Sequence, residues 1–222
     1  MKFKLLTLEV TSLADLPANA IPFRFKVYFI KEIFMAFLPA IEINNSSKIE
    51  ITFGPKGNDN EFDGALGCTN VYIEDFNFKE FYNYNLEKQQ NEILEIIVFQ
   101  LIKLIEKQGK NFVLTDIIRE TAKRVIESKF DLKISIKRLS KITPNKLYKI
   151  NVYRCLNAKV GESWICEKEN RKNKLIMESL MTKVPGFLYR RDFFKVAQIS
   201  NTGYIVYNRF EIAVFNLNLQ EL

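Results

Sequence analysis

Apolar residues recur along this chain with two different periods, and the change from one to the other divides it into sections. Phe23, Phe25, Val27 and Phe29 alternate with Arg24, Lys26 and Tyr28, and Ile49, Ile51 and Phe53 alternate with Lys48, Glu50 and Thr52. Each run predicts a strand with one buried face. The stretch from Gly54 to Asn60 then concentrates turn formers and marks a loop before a short strand around Val71 to Phe76. From there the period lengthens. Asn85 is placed to cap a helix running to about Gln108, where Gly109 closes it, and Leu86, Ile93, Leu94, Ile97, Leu101, Leu104 and Ile105 recur at helical spacing. Ile96, Val98, Phe99 and Ile102 widen the apolar face, so this helix is expected to be mostly buried. A second helix, from about Thr115 to Lys129, carries Ile117, Ile118, Thr121, Ala122, Val125 and Ile126 on one side and completes a helical hairpin.

Period two then returns: Leu132, Ile134 and Ile136; Tyr148, Ile150 and Val152; Trp164 and Cys166; and two last runs, Phe193 to Ser200 and Gly203 to Leu217, separated by the turn Asn201-Thr202-Gly203. Strands, then two helices, then strands predict an α+β protein in which antiparallel β-sheet packs with a central helical hairpin. A parallel doubly wound sheet would need helices between successive strands. The expected organisation is one domain over 1–222, with strands in 1–76, the helical pair in 85–129 and strands in 132–217.

A 47% hydrophobic content over 222 residues is enough for a proper core. The longest apolar candidate for a membrane span, Tyr28 to Ile43, is broken by Lys31, Glu32, Pro39 and Glu42. Glu9 and Asp15 interrupt the start of the chain, which predicts no signal peptide. These features lead to the expectation of a cytoplasmic protein outside the membrane. Cys68, Cys155 and Cys166 form neither a CxxC pair nor an even set. A hairpin turning near Ala158 to Gly161 would set Cys155 opposite Cys166 and Arg154 opposite Glu167, with two half-buried thiols favoured over a disulfide. The chain has no histidine, which excludes His-based triads, His-ligated metals and imidazole switches. Gly54, Gly57, Gly64 and Gly67 complete no phosphate or dinucleotide loop. The expectation is a protein without catalytic or metal-binding residues and without a cofactor.

The net charge of +7 is unevenly spread. Between Glu42 and Glu95 eleven carboxylates face four lysines, a balance of −7, whereas 132–161 holds eight basic residues and no carboxylate. Within the basic section Lys137, Lys141, Lys149 and Arg154 are candidate partner-binding residues, with Tyr148 and Tyr153 interleaved as phosphate neutralisation and base stacking would use them. Alternation also places Lys149, Asn151 and Tyr153 on the ordinary polar side of a half-buried strand. In the acidic section Asp59, Glu61 and Asp63, with Glu74 and Asp75, either hold a divalent cation or form a solvated loop, and the solvated loop is favoured because the calcium-loop pattern is missing. Glu167-Lys168-Glu169 has the carboxylate and lysine layout of restriction-type nucleases. Arg190 and Arg191, among Phe187, Tyr189, Phe193 and Phe194, are candidates for an interface anchor.

The second half resembles the small immunity proteins with which bacteria block their own polymorphic or contact-dependent toxins. The likeness lies in a helical pair ending at Phe130, the strand Ile134-Ser135-Ile136-Lys137-Arg138-Leu139, and the stretch from Lys149 to Asn157 closed by Gly161-Glu162-Ser163-Trp164. An aromatic strand pair near the C-terminus completes it. It covers roughly 85–217 and rests on architecture, so no residue role is carried over. It implies a cytoplasmic, non-catalytic inhibitor whose partner is a cognate toxin domain. The alternative reading is a nucleic-acid-binding protein, or a metal-dependent nuclease, using the basic 132–161 section.

Overall fold

Phe23, Val27, Ile30 and Phe34 fall at i, i+4, i+7 and i+11, and they form the buried stripe of a helix, α1 (Phe23–Phe37), in place of the strand that alternation predicts. Over the first seven residues both periods fit, since Phe23 and Val27 belong to each. The continuation separates them: Phe29 and Ile30, then Ile33 and Phe34, are apolar neighbours, and a helix buries both members of each pair. Pro22 starts the element, where its missing N–H costs nothing. The computed structural model describes residues 1–18, 20–57, 62–109, 111–182 and 193–220, with the side chains of 62 and 63 left out.

Because α1 is a helix, the chain can cross over between parallel strands. β1 (Leu5–Val10) pairs in parallel with β2 (Lys48–Phe53), and β2 pairs in parallel with β4 (Cys68–Ile73). β3 (Phe62–Ala65) adds antiparallel to β4, giving the order β1-β2-β4-β3. The protein is α+β, but the antiparallel expectation is corrected for this first sheet. Phe23 of α1 stacks on Phe53 at 4.7 Å and on Phe81 of α2 (Phe78–Asn83) at 5.4 Å, tying sheet to helices.

The helical hairpin forms, with its second helix starting at Phe112 where the spacing predicts about Thr115. Asn85 caps α3 (Leu86–Lys107) by accepting from the Lys88 N–H, and Asn111 caps α4 (Phe112–Glu127) by accepting from the Leu114 N–H. Gly109 follows α3 at a φ of 111°. α4 ends in a Schellman turn: the Lys129 N–H reaches Ile126 O at 2.8 Å, and the Phe130 N–H reaches Val125 O at 3.4 Å. Lys129 adopts φ 54°, a left-handed conformation that glycine usually takes, while Val125 and Phe130 are buried.

Past this turn every strand pairing among the described residues is antiparallel. β5 (Leu132–Ser135), β7 (Tyr148–Asn157), β8 (Gly161–Asn170) and β9 (Ile176–Leu180) lie in that order, and β6 (Lys141–Ile142) pairs with β7. β10 (Val196–Ile199), β11 (Gly203–Tyr207) and β12 (Ala213–Asn218) form a second sheet. Their shared core contains Ile150, Val152, Trp164, Cys166, Phe194, Tyr204 and Val206. Where the sequence reading takes 1–222 as one domain, the chain divides into two compact units, Met1–Asp131 and Leu132–Leu222. Among the described residues no helix is long and apolar enough to cross a membrane.

Candidate protein-binding surface

Alternation along β7 sorts the basic section into two groups with different roles. Lys149 points to solvent on the outer face, Lys137 is exposed in the turn after β5, and Lys141 is half-buried on β6. Arg154 has the opposite parity and is buried, which corrects its assignment as a partner-facing residue. Its Nη2 donates to Glu162 Oε2 at 2.6 Å, and Trp164 Nε1 donates to Glu162 Oε1 at 2.7 Å, so both oxygens of a carboxylate with 0% exposure are engaged. A charge this deep is tolerated only when paired and hydrogen-bonded. Lys133 on the outer side donates to Glu167 at 2.7 Å and lies 4.4 Å from the Tyr153 ring centroid; that hydrogen bond holds its pKa above the usual lysine value.

The hairpin closes with Asn157 opposite Gly161, which pairs Cys155 with Ser163 and Cys166 with Val152. The two thiols therefore lie out of register on opposite faces of the sheet, and no disulfide joins Cys68, Cys155 or Cys166. Arg154 stands opposite Trp164, and Glu167 opposite Asn151. These pairings correct the sequence-based register by three residues. Lys168 is buried over the Tyr148 ring, on the face opposite to Glu167 and Glu169, so that triplet does not converge on one point. Among the described residues no three carboxylates or thiols are grouped to hold a metal ion, and Glu74 instead pairs with Lys56 at 3.1 Å. Asp59, Glu61, Arg190 and Arg191 lie outside the described residues; Asp63 pairs through its backbone with Asn70, its side chain lying outside them too.

The surface that stands out is one the sequence reading missed, the strand β9. After Asn170 the chain turns through Arg171, Lys172, Asn173 and Lys174, all exposed, in a loop held by the Lys174 N–H to Asn170 O and the Arg171 Nη1 to Lys146 O. Lys174 also lies 3.4 Å from Glu169. β9 then pairs with β8 on one side and ends the sheet order on the other. Leu175, Ile176, Met177 and Leu180 are exposed, Ile176 at 57% and Leu180 at 55%. No protein-family model, curated protein or solved structure matches the chain.

The direction of the β9 backbone follows from two bonds. Leu175 O accepts from the Asn170 N–H, and the Met181 N–H donates to Trp164 O, both at 2.8 Å. Groups on one side of a strand alternate, so Leu175, Met177, Ser179 and Met181 address β8, while Ile176, Glu178 and Leu180 direct their N–H and C=O groups to the open edge. Their side chains share the outer face with Glu169, Glu167 and Ile165, their cross-strand neighbours. Among the described residues no strand pairs with this edge, and a strand edge that carries exposed aliphatics is a ready template for another chain. The sequence signal was present in the run Leu175-Ile176-Met177 directly after an Asn-Lys turn.

Proposed function

We propose that this chain is a non-catalytic, protein-binding inhibitor of the immunity type, which acts in the cytoplasm by holding a cognate toxin domain. The observation that carries the reading is the exposed aliphatic edge of β9 beside a basic turn, since an apolar strip rimmed by charge is the usual composition of a protein-docking surface. The resemblance of 85–217 to immunity proteins supports the same class. The basic turn would speed encounter with an acidic partner more than it would set the final affinity. The nucleic-acid alternative draws on the 132–161 section, but Glu167 and Glu162 neutralise Lys133 and Arg154 there, and so withdraw two of its eight cations. The test is co-expression with the product of the neighbouring gene. Survival of the host only when both proteins are made, together with a stable complex of the two, is the expected result; a harmless neighbour or a failed rescue overturns the immunity reading.

A further inference from the structure

Resting on the protein-binding reading, we propose that β9 is a strand-addition site, whose occupant is an extended segment of a partner protein that pairs antiparallel with Ile176–Leu180 and ends in acidic residues against the Arg171–Lys174 turn. Three observations specify this occupant. Ile176, Glu178 and Leu180 offer backbone donors and acceptors to the open edge, which an added strand satisfies. Because an added strand continues the outer face, its side chains opposite Leu180 and Ile176 should be apolar, and the one opposite the carboxylate of Glu178 should be basic. Antiparallel addition carries the C-terminal end of the segment to Lys172 and Lys174, where carboxylates complement the charge.

A second copy of this chain fits the edge less well. β9 pairs with itself over its full length only with Glu178 opposite Glu178, which sets like charges directly across the ladder. Sliding the register by two residues one way sets Ile176 opposite Glu178 and Leu180 opposite Lys174, whose φ of 61° takes it out of the strand conformation; sliding it the other way sets Leu180 opposite Glu178 and Ile176 opposite the polar Thr182.

The probe is a capped eight-residue peptide of alternating character, with valine at its first and fifth positions, lysine at its third, threonine at the even positions up to the sixth, and two C-terminal glutamates. The readout is amide hydrogen exchange of the full chain. On adding the peptide, the amides of Ile176, Glu178 and Leu180 should gain protection, and an N-methylated peptide with the same side chains should confer none. Glu178→Pro removes a donor directed at the open side, where proline is tolerated in an edge strand. It should weaken the peptide by about tenfold, the loss of one hydrogen bond and its charge partner. Glu178→Gln keeps the donor and should weaken it less. Absence of peptide binding, or binding that protects other amides, overturns the proposal. So does protection of the same three amides that grows with protein concentration alone, which would assign the edge to a second copy. A toxin partner whose affinity is unchanged by Glu178→Pro also overturns strand addition while leaving the inhibitor reading standing. Peptide docking in a chain with no toxin partner does the reverse.

Discussion

Arg154→Met is the substitution whose effect on the C-terminal unit follows most directly from the geometry. It keeps much of the apolar stem but removes the guanidinium that balances Glu162, a carboxylate with 0% exposure. The bond that Trp164 Nε1 donates to Glu162 at 2.7 Å is no substitute for a counter-charge. Breaking a buried pair on one side costs about 3–5 kcal/mol, up to most of the stability of a domain that has only about 5–15 kcal/mol in all. Adding Glu162→Gln removes the orphaned charge and leaves an oxygen to accept from Trp164, so the double variant should recover to within about 1–2 kcal/mol of the parent. The chain has one tryptophan, Trp164, and α1 to α4 all lie in the other unit. Urea unfolding followed by tryptophan fluorescence therefore reports on the C-terminal unit, and helical circular dichroism reports mainly on the N-terminal one. A loss below about 1 kcal/mol for Arg154→Met, the value of an exposed pair, would refute the reasoning. So would a double variant no more stable than the single one.

Burial pushes the Cys166 thiol from 9.0 up to about 12, with Glu167 adding to the shift, while Cys68 is exposed. In the native protein a thiol reagent should label Cys68 first and Cys166 only on unfolding, as peptide mapping would show. Because the folded pKa of Cys166 is the higher one, the unfolded chain loses its proton first as pH rises. The C-terminal unit should then lose stability between about pH 9 and 12, and the raised Tyr204, buried and close to Cys166, adds to this in the alkaline range. Thermal melts across that range should show a falling midpoint, whereas a flat profile would contradict it. Lys129→Gly should stabilise the N-terminal unit by about 1 kcal/mol, since it relieves a left-handed lysine in the Schellman turn, and Gly109→Ala should cost a similar amount; helical circular dichroism melts check both. Met177→Pro removes an N–H that addresses β8 and should cost about 1–3 kcal/mol, whereas Glu178→Pro should leave the fluorescence midpoint nearly unchanged.

Much of the fold is legible in the sequence where one period runs long enough to exclude the other. The 22-residue α3 with its cap Asn85 is of this kind, as are β2 and the hairpin of β7 and β8, whereas the cap Asn111 lies ahead of the start at Thr115 that the spacing predicts. α1 was misread because its first seven residues satisfy both periods, and the misreading concealed the parallel pairing of β1 with β2, which depends on that helix as crossover. The burial of Arg154 was readable: it shares parity with Ile150 and Val152, and Glu162 shares parity with Trp164 and Cys166. What alternation does not fix is the offset between two strands, which the turn decides, so the partners of Arg154 and Cys155 came out three residues away. β9 was missed because both of its faces carry exposed apolar residues, leaving no alternation to detect.

The position of the Schellman turn at Lys129 also bears on how the chain is made. Every strand of the β1-β2-β4-β3 sheet, including its parallel pairs, is encoded before residue 131. Parallel pairing is slow because it closes long loops, while chains are synthesised at about 5–20 residues per second. β9 begins about 45 residues later, so the N-terminal sheet has roughly 2–9 seconds to assemble before that edge is made. When the aliphatic edge of β9 emerges, the inner strands β2 and β4 of that sheet are already paired on both sides.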